Sequence, residues 1–153
     1  MNTFLAVVAF AAGALLAIAP PAQAQWSESR LQSLYQDYLD TKGVESWVDS
    51  DGDVQFEYAD RTYFMEVNEN DNEFFRVVLF NIWPIESDSE YVEAAVAVNE
   101  VNKQMKVAKA YITDDNVWVA CELFVGSPEN FRPVWQRCMD VIDQGVDTFV
   151  EGM

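Results

Sequence analysis

Residues 74–83 (FFRVVLFNIW) carry apolar side chains at both odd and even positions, interrupted only by Arg76 and Asn81. Successive residues of an extended chain point to opposite faces, so this run is covered on both sides and belongs at the centre of a sheet. Pro84, which has no N–H for a ladder bond, ends it. Residues 117–125 repeat the pattern, with Trp118, Ala120 and Phe124 on one face and Val119, Cys121 and Leu123 on the other. Around these two runs the alternation is one-sided. Trp47 and Val48, then Val54, Phe56 and Tyr58, then Tyr63, Met65 and Val67 mark shorter strands, separated by turns at Asp51-Gly52 and Ala59-Asp60. Residues 107–112 form a further strand that turns through Asp114-Asp115-Asn116.

Three segments carry the helical period instead. Leu31, Leu34, Tyr35, Tyr38 and Leu39 follow a cap at Ser27 and stop at Gly43. A second helix opens at Ser87 or Asp88 and is expected to turn Tyr91, Ala94, Ala95, Val98, Val101, Asn102 and Met105 inward. A third opens at Ser127-Pro128-Glu129 and buries Phe131, Val134, Trp135, Cys138, Val141, Ile142, Val146 and Phe149, with Pro133 still in its first turn. The order α-β-β-β-α-β-β-α makes an α+β domain on an antiparallel sheet.

Ahead of this domain, residues 1–24 read as a secretory signal peptide. The stretch is uncharged, apolar from Phe4 to Ile18, broken by Pro20 and Pro21, and closed by Ala22-Gln23-Ala24. Gly13 and the proline pair shorten the run below what a membrane anchor needs. The mature chain, residues 25–153, is then expected in the periplasm or outside the cell, with no membrane attachment after cleavage. It keeps all 26 acidic and 9 basic residues and the net charge of −17, which makes nucleic acid and anionic lipid poor partners. With half of all residues hydrophobic, the chain is too apolar to stay unfolded.

The segment Val98-Asn99-Glu100-Val101-Asn102, followed by Lys106-Val107-Ala108-Lys109-Ala110-Tyr111-Ile112, an acidic turn and an apolar strand, resembles the YbjN family of bacterial sensory-transduction regulators. Asp51-Gly52-Asp53-Val54-Gln55-Phe56-Glu57-Tyr58 with Arg61-Thr62-Tyr63-Phe64 is similar to that family's first hairpin. The resemblance implies a type III secretion chaperone-like fold, a scaffold associated with protein binding and with dimers, and it supplies no catalytic residue. Many relatives look cytosolic, so a signal peptide is a departure from the family.

The side chains themselves exclude most catalytic chemistry. There is no histidine, hence no Ser-His or Cys-His nucleophile pair and no imidazole metal ligand. No cofactor motif is present, and the six glycines do not assemble a phosphate loop. Asp49, Asp51 and Asp53 mimic alternate ligands of a calcium loop, but the sixth position is Val54 where the sharp turn needs glycine, so a hairpin turn is the better reading. Asn99 and Asn102 stand three apart on the second helix, spaced either to hold a ligand or, for Asn102, to satisfy the next strand's backbone. Cys121 and Cys138 are not a Cys-x-x-Cys motif, and export favours a disulfide between them over free thiols.

These readings converge on an exported, non-enzymatic protein-binding module, a regulator or chaperone-like adaptor of the cell envelope. Trp83, Asn99 and Asn102 are its candidate partner contacts. A calcium-dependent or carboxylate-based hydrolase and a structural envelope protein are the competing classes. The doubly apolar strands add one expectation. Unless three helices cover both faces of the sheet, a second copy or a protein partner must cover one, through the sheet and the second helix.

Overall fold

The computed structural model describes residues 26–153; the proposed signal peptide and its cleavage site lie outside the described residues. The elements are α1 (Glu28–Thr41), β1 (Ser46–Val48), β2 (Val54–Tyr58), β3 (Arg61–Met65), β4 (Phe74–Pro84), α2 (Asp88–Gln104), β5 (Ala108–Thr113), β6 (Asn116–Phe124), a 3₁₀ turn (Pro128–Phe131) and α3 (Trp135–Gly152). All strand pairs are antiparallel, in one six-stranded sheet of order β1-β2-β3-β4-β6-β5. The two long apolar strands, β4 and β6, are neighbours in its interior, as their patterning requires.

Local chemistry sets the boundaries. Ser27 Oγ accepts from the Arg30 N–H at the start of α1, and Ser87 Oγ accepts from Glu90 N–H at the start of α2. Glu90 returns the favour, its carboxylate accepting from the Glu86 N–H at 2.7 Å. The two tightest hairpins, Ala59-Asp60 and Asp114-Asp115, place both central residues at positive φ, the geometry that matches strand twist.

Three details differ from expectation. Four strands precede α2 rather than three, because Trp47 and Val48 do pair, forming the short edge strand β1 against β2. The last helix begins at Trp135, not near Ser127. Pro133 has no N–H to return to the Glu129 carbonyl, so the chain makes one 3₁₀ turn and restarts, with Cys138 N–H to Val134 O among its first bonds. Finally, α2 buries Ala94, Ala97 and Val101, while Tyr91, Val92 and Val96 face outward. The reason is close approach to α3: a Cβ on Gly152 would lie 3.0 Å from the Ala97 Cβ, so α2 packs through its smallest residues.

Alternation assigns the two faces of the sheet. Val54, Phe56, Tyr63, Met65, Phe75, Val77, Leu79, Ala110, Val117, Val119 and Cys121 join Leu34 and Leu39 of α1, Ala94 and Val101 of α2, and Ile142 and Phe149 of α3 in one core. All three described α-helices therefore lie on the same side. Trp135 sits at the centre of this core, ringed by Tyr38, Phe56 and Tyr58, with its indole N–H unpartnered.

Candidate functional site

Among the described residues, no helix lies over the opposite face of the sheet. Its middle row runs Gln55, Phe64, Val78, Ala120, Lys109 across the register, and a neighbouring row presents Phe80, Trp118 and Tyr111. Phe64, Phe80 and Trp118 form a triangle of rings with centroids 5.9–6.0 Å apart, and Tyr111 extends it at 6.0 Å from Trp118. Val78 and Ala120, on the same face, are fully buried although they lie outside the helical-side core. At one end of the face Phe74 meets Phe124, whose side is 77% exposed.

A polar network borders this apolar centre. Arg76 reaches the Glu66 carboxylate at 2.8 Å, and its Nε lies 3.2 Å from Glu122, close enough for an ion pair but misaligned for a hydrogen bond. Its other terminal nitrogen donates to the Tyr111 hydroxyl. Lys109 pairs with Glu122 at 3.4 Å and, like Arg76, approaches the Tyr111 ring. Partial burial works against the Arg76 charge, but the Glu66 hydrogen bond, Tyr111 and Glu122 outweigh it and hold its pKa above the ordinary value. Burial likewise pushes the Tyr111 hydroxyl up, with Arg76 opposing.

An irregularity in β4 shapes the rim. Leu79 pairs with Val119 and Trp83 with Val117, so three residues of β4 oppose Trp118 alone. Asn81 absorbs the distortion at φ 54°, a left-handed conformation that asparagine tolerates, and its Oδ1 accepts the Trp118 indole N–H at 3.0 Å. The two extra residues leave the alternation unchanged beyond them, since Trp83 stands four residues after Leu79 and pairs with core Val117. Trp83 consequently lands on the helical side, where its ring packs against Phe149 and its indole donates to Glu90 at 2.9 Å. It is not a member of the open face. The aromatic that is, Trp118, was legible only as one side of β6.

The remaining sequence candidates have local roles. Asp49 Oδ1 accepts from the N–H groups of Asp51 and Asp53, and its Oδ2 accepts from Gln55. Asp53 accepts the Val67 N–H at 2.8 Å. These carboxylates organise the β1–β2 turn. Burial raises the Asp53 pKa; the Val67 bond lowers it, and Asp49, Glu66 and Asp51 add to the rise. Asn99 is exposed and makes no hydrogen bond among the described residues. Asn102 makes two, donating from Nδ2 to the Ala110 carbonyl and accepting the Ala110 N–H on Oδ1, both at 2.9 Å. Cys121 and Cys138 are both buried free thiols that line one cavity where β6 packs on α3.

Among the described residues, this α+β domain stacks its helices on one side of the sheet and leaves an aromatic, ion-bordered surface on the other, an arrangement suited to binding another polypeptide. The family model described as T3SS (YopN, CesT) and YbjN peptide-binding chaperone 1 matches residues 30–152, and the chain belongs to that family. Among solved structures the chain is similar to YbjN, a proposed transcription regulator from E. coli, with a TM-score of 0.56 and 15% sequence identity, covering 73% of this chain and 85% of that one. At that identity the likeness concerns the fold alone. No curated protein matches the chain. Among the described residues no helix is long and apolar enough to cross a membrane.

Proposed function

We propose that this protein is an exported, non-enzymatic peptide-binding module of the cell envelope, which holds apolar polypeptide segments on the face of its sheet opposite the described helices. The observation that carries this reading is the triangle of Phe64, Phe80 and Trp118 on the same face as buried Val78 and Ala120, with Arg76, Glu66, Glu122 and Lys109 around it. Aromatic anchors at the centre with a polar rim are the anatomy of a protein-binding patch. The net charge of −17 favours partners that are neutral or basic and keeps the loaded module soluble. Export follows from the apolar leader and its Ala22-Gln23-Ala24 end.

Suppression of the aggregation of reduced insulin B chain, followed by light scattering, tests the surface. The mature chain is expected to suppress it, and Phe80→Ser with Trp118→Ser to abolish the effect while leaving far-ultraviolet circular dichroism unchanged. Val92→Ser with Val96→Ser, on the outer side of α2, is expected to keep it. Equal suppression by the first variant, or loss only in the second, overturns the assignment. Sedimentation identifies the other occupant: a homodimer that tightens as salt screens repulsion, and that Trp118→Ser dissociates, means the face is covered by a second copy.

A further inference from the structure

We propose that Cys121 and Cys138 form a reversible dithiol site that exchanges with a small, carboxylate-bearing disulfide, of which cystine is the simplest, with Cys138 as the attacking thiol and Cys121 as the resolving one. The site does not depend on the peptide-binding reading. Its basis is a cavity of about 140 Å³ into which both cysteines face. Val107, Leu123, Val134 and Val141 give it an apolar lining, and Arg137 supplies its positive charge. Val107 is 41% exposed, so the cavity opens to solvent between β5 and α3.

The geometry separates the roles of the two sulfurs. Cys138 lies in the first turn of α3 beside Arg137, whereas Cys121 lies in the sheet interior between Ala120 and Glu122. The neighbouring Cys121 thiol, with Arg137 in support, favours a thiolate on Cys138 and outweighs its burial. The same contact, then burial, pushes the Cys121 thiol up. The thiolate is the nucleophile in disulfide exchange, so the sequence of attack is set. Cys138 Sγ attacks one sulfur of the disulfide RSSR, forming a Cys138–SR bond and releasing RS⁻. Cys121 then gives its proton to the departing thiolate as its sulfur attacks Cys138 Sγ. A Cys121–Cys138 bond forms and the second RSH leaves. The protein dithiol is oxidised and one RSSR is reduced to two thiols.

Size and charge select the reagent. A cavity of this volume suits a disulfide with short arms, and Arg137 offers a donor pair for its carboxylate. The net charge of −17 works against larger, more anionic disulfides such as that of glutathione.

The reduced mature chain, incubated in native buffer with cystine and followed by intact mass and thiol alkylation, decides the matter. The wild type is expected to lose both thiols without retaining an adduct. Cys121→Ser and Cys121→Ala are expected to accumulate a half-cystine on Cys138, and Cys138→Ser to stay unmodified over the same time. Arg137→Gln is expected to reach the wild-type end point several-fold more slowly, and glutathione disulfide to react more slowly than cystine. Native wild type that stays reduced while both thiols react in urea overturns the proposal. So does a Cys138→Ser variant modified as fast as Cys121→Ser.

Discussion

Asn102 acts as a substitute strand, and removing its side chain measures what that is worth. Ala110 lies on β5, the edge of the sheet. The Glu122 N–H to Val107 carbonyl bond fixes the alternation along β5, so both backbone groups of Ala110 point away from β6. The Asn102 amide answers both at 2.9 Å. A net contribution of about 1 kcal/mol per hydrogen bond, reduced because water reaches an exposed edge, gives about 1–2 kcal/mol for Asn102→Ala. With a urea slope of about 1–3 kcal/mol/M, the unfolding midpoint should fall by about 0.5–1 M. Asn102→Asp retains the acceptor for the N–H but sets a carboxylate against the Ala110 carbonyl. It should therefore be worse than alanine at neutral pH and recover on acidification, when the protonated carboxyl donates again. Asn99→Ala is the control, expected within about 0.5 kcal/mol of wild type because its side chain is exposed and makes no hydrogen bond among the described residues. Urea unfolding by tryptophan fluorescence reads all three. If Asn102→Ala and Asn99→Ala are indistinguishable, the edge-capping argument is wrong.

Two further outcomes follow from features already described. Asp53 has a raised pKa, so its native state is favoured when protonated: stability from this group is fully present below the ordinary carboxylate range and is lost as pH rises through the native pKa. Asp53→Asn, whose Oδ1 can still accept the Val67 N–H, should raise the urea midpoint at pH 7, with the gain shrinking toward pH 4; a lower midpoint at pH 7 refutes the sign. The mature chain recovered from the periplasm of a Gram-negative host should begin at Gln25 by intact mass; membrane-bound protein retaining residues 1–24 refutes export with cleavage.

Much of the fold was legible because it rests on short-range rules. Two-sided apolar runs identified β4 and β6 as interior strands, and the turn residues at Ala59-Asp60 and Asp114-Asp115 located both tight hairpins. The backbone role of Asn102 followed from a polar residue on a helix that enters the next strand. What escaped depends on register. No period predicts that β4 gains residues opposite Trp118, and Trp83 was placed among the partner contacts although its parity with Val77 and Leu79 already sets it on the helical side, against Phe149. Arg76 read as an interruption of an apolar run, yet it joins Glu66, just past β3, to side chains from β5 and β6. The inward stripe of α2 was read correctly at Ala94, Val98, Val101 and Met105, but Tyr91 was turned inward and Ala97 missed, because close contact with α3 rather than hydrophobicity selects the smallest residues. Whether the helices share one face is likewise a matter of topology, beyond the reach of local pattern.

The order of strands has a consequence for when the fold can form. β1, β2 and β3 are joined by tight turns and can pair as they are made, but β4 finds its second neighbour, β6, only after α2 and β5 have been passed. Phe74 must wait for Phe124. Pairing between residues so far apart in the chain pays its loop-closure entropy before it returns contacts, which makes folding slow relative to helical domains of similar size. For a chain proposed to be exported, that delay is useful: the sheet stays incomplete until nearly the whole polypeptide is available, leaving time for translocation in an unfolded form. The same interior pairing that makes the finished sheet rigid keeps it from closing too early.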